Sequence, residues 1–453
     1  MLPSFQDLRS EFRPMFRLAL PVVIAEMGWM TMGMVDVLMV GRLGPEAIGA
    51  VGLGSSIFIG LAIFSMGLLL GLDTLVSQAF GADDVDTCHR WLVHGVVLAL
   101  ALSVPVTAAL FWISNALDTW GIDPAVLALT RSYVRIVAWS ALPLLLYAAF
   151  RRYLQGMGIV RPVTAALIGA NIVNVIVNWI LIYGKLGAPA LGVDGAAWAT
   201  VLSRVAMAAT LLVTIVYIDR GGTASTFRVL RLEPSWFKRL LVLGTPAATQ
   251  LTLEVGAFAA ATALAGRLAP TSLAAHQIAI NYAALTFMVP LGISSAGAVR
   301  VGHAVGRRDP VGASKAGWTA LLFAVLFMTT AALVFVTMPR LLLKAFTSDA
   351  GVLDVGVSLL FIAAIFQLFD GLQGVATGAL RGLGDTRTPM LWNLGGHWFV
   401  GLPLGYTLCF VLGQGITGLW WGLSLGLVIC GVAVSLVWKR RIRQLERALR
   451  VQL

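Results

Sequence analysis

Apolar runs of about 20 residues recur along almost the whole chain, and a run of that length crosses the roughly 30 Å hydrocarbon layer of a bilayer as one helix. Twelve are counted, near residues 15–40, 47–73, 91–114, 125–149, 163–184, 191–218, 239–264, 272–298, 316–338, 355–378, 389–412 and 416–438. Of the 453 residues 58% are hydrophobic and 12% charged, with a mean hydropathy of +0.88, too little polar surface for a water-soluble protein of this size. In lipid every backbone polar group must be satisfied within the protein, which leaves helices or closed barrels. Barrels read as short alternating segments, and these runs do not alternate. The expected fold class is an all-α integral membrane protein with twelve transmembrane helices.

The runs are also duplicated. Gly41-Arg-Leu-Gly-Pro recurs 225 positions later as Gly266-Arg-Leu-Ala-Pro, and the same offset pairs Pro21 with Pro246, Gly67 with Gly292, Val76 with Val301, Ala79 with Ala304, Gly81 with Gly306 and Asp84 with Asp309. A register held over this distance predicts two six-helix bundles related by internal duplication. The polar stretch 219–238 separates them as a linker, giving an amino-terminal lobe over 1–218 and a carboxy-terminal lobe over 239–453 that ends in a basic tail.

Basic residues concentrate on the cytoplasmic side of membrane proteins. With both termini inside, 24 of the 32 Lys and Arg fall in inner segments, including Arg9, Arg13 and Arg17, the linker, and six in the tail 439–453. The expected location is a bacterial inner membrane, crossed many times, with linker and termini in the cytoplasm. This bias accounts for the net charge of +11, so no nucleic-acid partner is implied. A short amphipathic leader, Leu2 to Arg17, runs into the first span without a small-residue cleavage site, so that span is expected to stay. The three cysteines, Cys88, Cys409 and Cys430, have no metal-ligand spacing and imply no disulfide framework.

Catalytic signatures are missing. There is no G-x-x-x-x-G-K-[ST] loop to cradle the phosphates of ATP, no H-E-x-x-H, and no soluble domain to house an active site. Gly422-Leu-Ser-Leu-Gly426 spells G-x-S-x-G, but it lies inside the last apolar run rather than at a strand-turn-helix. With Gly418 it forms a four-residue repeat of small side chains, the surface along which membrane helices approach closely. No enzyme is expected, and no cofactor.

Ionisable residues in hydrocarbon are costly, which makes them functional candidates. Asp36, Glu254 and Asp370 stand out; Glu26 and Arg204 also fall within spans, and Asp73 lies near a cytoplasmic helix end where an interfacial position is expected. Asn171, Asn174 and Asn178 share one face of the fifth span. Asp36 lies at the depth of Asn174 and Asn178, with Thr200 comparably deep on the sixth span. One carboxylate among neutral oxygens suits a proton or a hard monovalent cation, and the same spacing also serves a hydrogen-bonded helix-packing network. In the second half Gln250 and Glu254 are one turn apart, and Gln367, Asp370 and Gln373 step by three. Under the 225 offset Asp36 aligns with Ala261 and Glu254 with Trp29, so the scaffold is duplicated and the acidic residues are not. His276 is read as a hydrogen-bonding residue, Met27, Met30, Met32, Met34 and Met39 as adaptable apolar surface or packing, and Pro21 and Pro246 as hinges or tolerated kinks.

The stretches Met34-Val-Asp-Val-Leu-Met-Val-Gly-Arg-Leu-Gly, Leu253-Glu-Val, Ala274-Ala-His-Gln-Ile-Ala-Ile-Asn, Val301-Gly-His-Ala-Val-Gly and Leu380-Arg-Gly-Leu-Gly-Asp-Thr-Arg resemble the multidrug and toxic compound extrusion family, its NorM-like branch most of all. The likeness runs from about Met15 to Trp438. It implies two six-helix bundles, a central cavity, and export of amphipathic, often cationic drugs in exchange for Na⁺ or H⁺. By the same resemblance the coupling residues are Asp36, Asn174, Asn178 and Thr200 in the amino lobe and Glu254 and Asp370 in the carboxy lobe. Asp36, Asn174 and Asn178 would hold Na⁺, and Asp36, Glu254 and Asp370 would meet the drug. Four residues before Asp370, where some relatives carry Tyr, stands Phe366; the lost hydroxyl favours protons there.

The expectation is a monomeric secondary-active exporter, lipid its other partner, whose lobes rock to expose a bound drug outward. The alternatives are a flippase for a lipid-linked precursor, which needs a cationic cavity for pyrophosphate, and a channel or structural membrane protein.

Overall fold

The computed structural model describes residues 5–220 and 232–450, and among them every regular element is a helix. They are α1 (Phe5–Val40), α2 (Pro45–Leu68), α3 (Gly71–Gly81), α4 (Val85–Ala116), α5 (Pro124–Ala138), α6 (Ala141–Gly156), α7 (Arg161–Tyr183), α8 (Val193–Arg220), α9 (Pro234–Ala265), α10 (Pro270–Gly306), α11 (Pro310–Thr337), α12 (Pro339–Lys344), α13 (Ala350–Leu383), α14 (Arg387–Asn393), α15 (Leu402–Tyr406) and α16 (Gly415–Arg450). A π-helical stretch, Leu394–Gly401, joins α14 to α15 and a second, Thr407–Val411, follows α15, so that all four form one continuous span.

Each of the twelve apolar runs is helical over most of its length. Among the described residues ten helical segments are long and apolar enough to cross a membrane, and the pair α5 and α6, bent by 47° at Trp139–Ser140, makes an eleventh. The twelfth is α9, 32 residues long, whose apolar character is diluted by Thr245, Thr249, Gln250, Thr252 and Glu254. Several helices overrun their apolar runs: α1 begins at Phe5 and α16 continues to Arg450. Beyond the hydrocarbon a helix that already satisfies its own backbone has no reason to stop.

The duplication is visible in detail. α3 and α10 end in the same loop: Asp83 and Arg308, 225 residues apart, are both left-handed at φ 57°. The next residue in each copy caps the following helix, Asp84 Oδ1 accepting from Thr87 N at 2.9 Å and Asp309 Oδ1 from Gly312 N at 2.7 Å. A second matching pair of turns, at Gly158 (φ 79°) and Gly384 (φ 89°), is offset by one residue more, so the copies differ by an insertion between the two loops.

Two compact units form, Met27–Ala248 and Met1–Glu26 with Thr249–Leu453. Their boundaries are not those of the sequence repeat, because α1 and α9 each pass from one unit into the other partway along. Within the first unit a Cβ on Gly67 would sit 2.4 Å from Cα of Ala248; within the second, a Cβ on Gly292 would sit 2.7 Å from Cα of Val23. Gly67 and Gly292 are equivalent, as are Ala248 and Val23. Each crossing therefore requires glycine, and each lies two residues after the equivalent prolines, Pro246 and Pro21, which stay inside unbroken helices.

The glycine ridge of α16 packs as its spacing predicts. Cβ atoms on Gly418, Gly422 and Gly426 would lie 2.8 Å from Leu408 C, 2.2 Å from Gly405 N and 2.5 Å from Gly396 O. Ser424 bonds back to Trp420 O at 2.7 Å inside the same helix, so G-x-S-x-G here is helix packing.

Candidate ion and drug site

Asp36 lies on α1, 5% exposed. Its Oδ1 accepts from Nδ2 of Asn174 at 3.0 Å and from Nδ2 of Asn178 at 2.7 Å. Its Oδ2 accepts from the Thr200 hydroxyl at 2.9 Å, a proton shared with the Ala196 carbonyl at 3.1 Å. The four residues named from sequence thus meet at one point, because Asn174 and Asn178 are one turn apart on α7 and Thr200 faces them from α8. A second Asn178 hydrogen reaches Asn174 Oδ1 at 3.1 Å. Asn178 Oδ1 is buried and has no partner among the described residues. Asn171 points elsewhere, donating at 3.0 Å to the carbonyls of Gly28 and Leu167, and so ties α7 to α1 below the cluster.

The second cluster is built on α9, α13 and α14. Glu254 Oε2 accepts from Gln373 Nε2 and from Asn393 Nδ2, each at 3.2 Å. One turn back on α9, Gln250 donates to the Thr377 hydroxyl at 3.4 Å, one turn on along α13; the two helices run antiparallel with polar rungs in register. The amide oxygens Gln373 Oε1 and Asn393 Oδ1 are buried without partners among the described residues. Asp370, 5% exposed, lies one turn from Gln373, within electrostatic reach of Glu254. It has no side-chain hydrogen bond among the described residues, in contrast to the caged Asp36. Gln367, although in step with Asp370 in sequence, bonds Thr286 at 2.5 Å and stays out of the cluster. Phe366 is buried with its ring 5.5 Å from that of Trp420, so the position that lacks a hydroxyl is filled by aromatic packing.

Both clusters share one arrangement. Amide N–H groups hold a carboxylate oxygen while an amide oxygen beside it is left unpaired. A buried acceptor without a donor calls for a cation, a proton donor or water. Carboxylate plus amide oxygens is a fitting set for a hard monovalent cation or a proton.

Other expectations resolve individually. His276 accepts from Trp420 Nε1 at 3.0 Å through Nδ1, and its Nε2 lies 3.0 Å from the Thr262 hydroxyl, so both ring nitrogens are used in packing. Asp73 is fully buried in the protein, with Arg152 3.3 Å away to meet its charge. Asn393 and His397 were not singled out from sequence. Their signal was a polar residue at the fifth position of the eleventh apolar run and another four residues on, a helical spacing that passed unweighted beside the acidic residues. His397 is buried beside Cys430, whose Sγ is 3.6 Å from Nδ1.

Comparison with known proteins agrees with this organisation. The MatE family profile matches residues 21–180 and again 246–407, two matches that begin 225 residues apart. The chain is 38% identical to the probable multidrug resistance protein NorM of Mesorhizobium japonicum, over 96% of this chain and 95% of that one. It is 36% identical to the multidrug resistance protein NorM of Burkholderia vietnamiensis, over 94% and 93%. Among solved structures, one described as MATE in the bent conformation superposes with a TM-score of 0.89 at 21% identity, covering 98% of both chains.

Proposed function

This chain belongs to the MatE family, and from that premise we propose that it is a secondary-active multidrug exporter, an antiporter moving amphipathic, often cationic compounds outward in exchange for H⁺ or Na⁺. The observation that carries the reading is the pair of carboxylate clusters, each with amide donors on the carboxylate and an orphaned amide oxygen at its side. The substrate class rests on relatives named for multidrug resistance. Asp36, with Asn174, Asn178 and Thr200, is one coupling site and the place for Na⁺; Glu254 and Asp370 are the other. The same three carboxylates attract a cationic drug. Coupling follows if ion and drug compete for one negative charge, or favour opposite conformations. The excess of Lys and Arg in alternate loops supports both termini in the cytoplasm and a place in the bacterial inner membrane. The working unit is a single chain, with no cofactor beyond the coupling ion.

The test is binding of a fluorescent cationic drug to the purified protein across pH. Protonation cancels the attracting charge, so affinity falls as pH drops; the loss of one such charge amounts to about tenfold, or 1.4 kcal/mol. Glu254→Gln and Asp370→Asn should flatten this dependence. Should both keep the wild-type profile and transport rate, the carboxy lobe has no coupling role.

A further inference from the structure

Arg204 is a buried charge that the reading above leaves unused. It lies on α8 one turn beyond Thr200, whose hydroxyl meets Asp36, so the guanidinium stands on the face of α8 that is turned toward that carboxylate on α1. It is 8% exposed. Its direct partners are neutral: Nη1 donates to Ser140 Oγ, and the guanidinium lies over the Phe58 ring, 4.2 Å from its centroid. Ser140 occupies the break between α5 and α6 and its own hydroxyl is fixed on Val137 O at 2.5 Å, so the anchor is rigid. A guanidinium removed from water without a touching carboxylate still needs a counter-charge. The titratable groups that act on Arg204 are the Tyr133 phenol and the Asp36 carboxylate, and of the two only the carboxylate is ionised near neutral pH. The groups facing Asp36 are Asn174 and Asn178 from α7, Thr200 and Arg204 from α8, and Tyr133 from α5, which bonds Ser55 at 3.0 Å. Arg204 is the one lasting positive charge in that set.

We propose that Arg204 is a positioning residue that keeps Asp36 anionic between turnovers, so that every proton, ion or drug cation taken up at Asp36 is taken up against a resident positive charge and is readily given back. The amino lobe then releases what it binds without a second carboxylate to displace it. The proposal rests on Asp36 being a coupling carboxylate.

The experiment measures ethidium binding to the full-length purified protein against pH, for wild type, Arg204→Lys, Arg204→Gln, Arg204→Met, Asp36→Asn and the double variant Arg204→Gln with Asp36→Asn. Removing the positive charge lets Asp36 take a proton at higher pH, so the midpoint at which binding is lost should move alkaline by about one pH unit in the Gln and Met variants. Arg204→Lys should keep the wild-type midpoint. The double variant should match Asp36→Asn alone, which shows that Arg204 acts through Asp36. Arg204→Met keeps an apolar stem on Phe58 and removes a buried charge, and so guards against a folding failure of the Gln variant. Ser140→Ala keeps the charge but removes its anchor, and should also move the midpoint. An unmoved midpoint in every folded variant overturns the proposal, as does a shift that persists with Asp36→Asn present. A wild-type profile in Asp36→Asn itself overturns the underlying reading of Asp36, a different result from either.

Discussion

At the residue scale the cost to be met is that of holding a carboxylate among apolar helices. An ionised group there must have its lone pairs satisfied. Asp36 has three donors, from Asn174, Asn178 and Thr200, all contributed by neutral side chains. Asp36→Asn keeps volume and removes the charge, so efflux should fall to the background of cells lacking the protein while the amount in the membrane stays the same. Full drug resistance with Asp36→Asn would make Asp36 structural. Much of this cluster was legible in the sequence, because i, i+4 spacing on a regular helix fixes which side chains coincide. Asn171 and Gln367 show the limit: each keeps step with its cluster in sequence, yet each is drawn to a nearer acceptor, the Gly28 carbonyl and Thr286. Spacing places a side chain on a face, and competition among neighbours decides what it binds.

At the element scale the informative contrast is between α16 and the helix it packs against. The glycines of α16 are regular, and their close approach to another backbone could be read from the four-residue repeat. The partner span was legible only as an apolar run, since nothing in its composition announces the π-helical stretches over Leu394–Gly401 and Thr407–Val411. Asn393 ends the regular helix α14, and His397 lies inside the wider winding that follows it. Gly422→Ala should lower the thermal stability of the purified protein by about 1–3 kcal/mol, because its Cβ would sit 2.2 Å from backbone N of Gly405, which cannot rotate away. Gly395→Ala is the control. A Cβ there meets nothing within 4 Å, and its melting temperature should match wild type. Equal melting of Gly422→Ala and Gly395→Ala would mean that the α16 interface is looser than the fold requires.

At the scale of the whole molecule the duplication governs the architecture, and the proposed orientation rests on the charge distribution. The repeat at 225 residues was readable from Gly41-Arg-Leu and Gly266-Arg-Leu, and the loops at Asp83 and Arg308 carry it into backbone geometry. The passage of α1 and α9 between the compact units was not readable, because it depends on Gly67 meeting Ala248 and Gly292 meeting Val23, contacts between segments far apart in sequence. Orientation can be checked with single cysteines. Those placed in 219–238 or 439–453 should be shielded from an impermeant thiol reagent in intact cells, and those at Pro45 or Pro270 should react; labelling of the tail from outside would refute the proposed orientation. The central claim is that an ion gradient drives drug movement through the carboxylate clusters. Its most direct measurement is drug transport by the purified protein in proteoliposomes under a sodium gradient alone, a pH gradient alone, and neither. The account predicts concentrative drug movement opposite to at least one imposed ion gradient, lost when that gradient is collapsed and absent with Asp36→Asn. Drug movement that stays the same with both gradients collapsed, or that never exceeds equilibration, would contradict it.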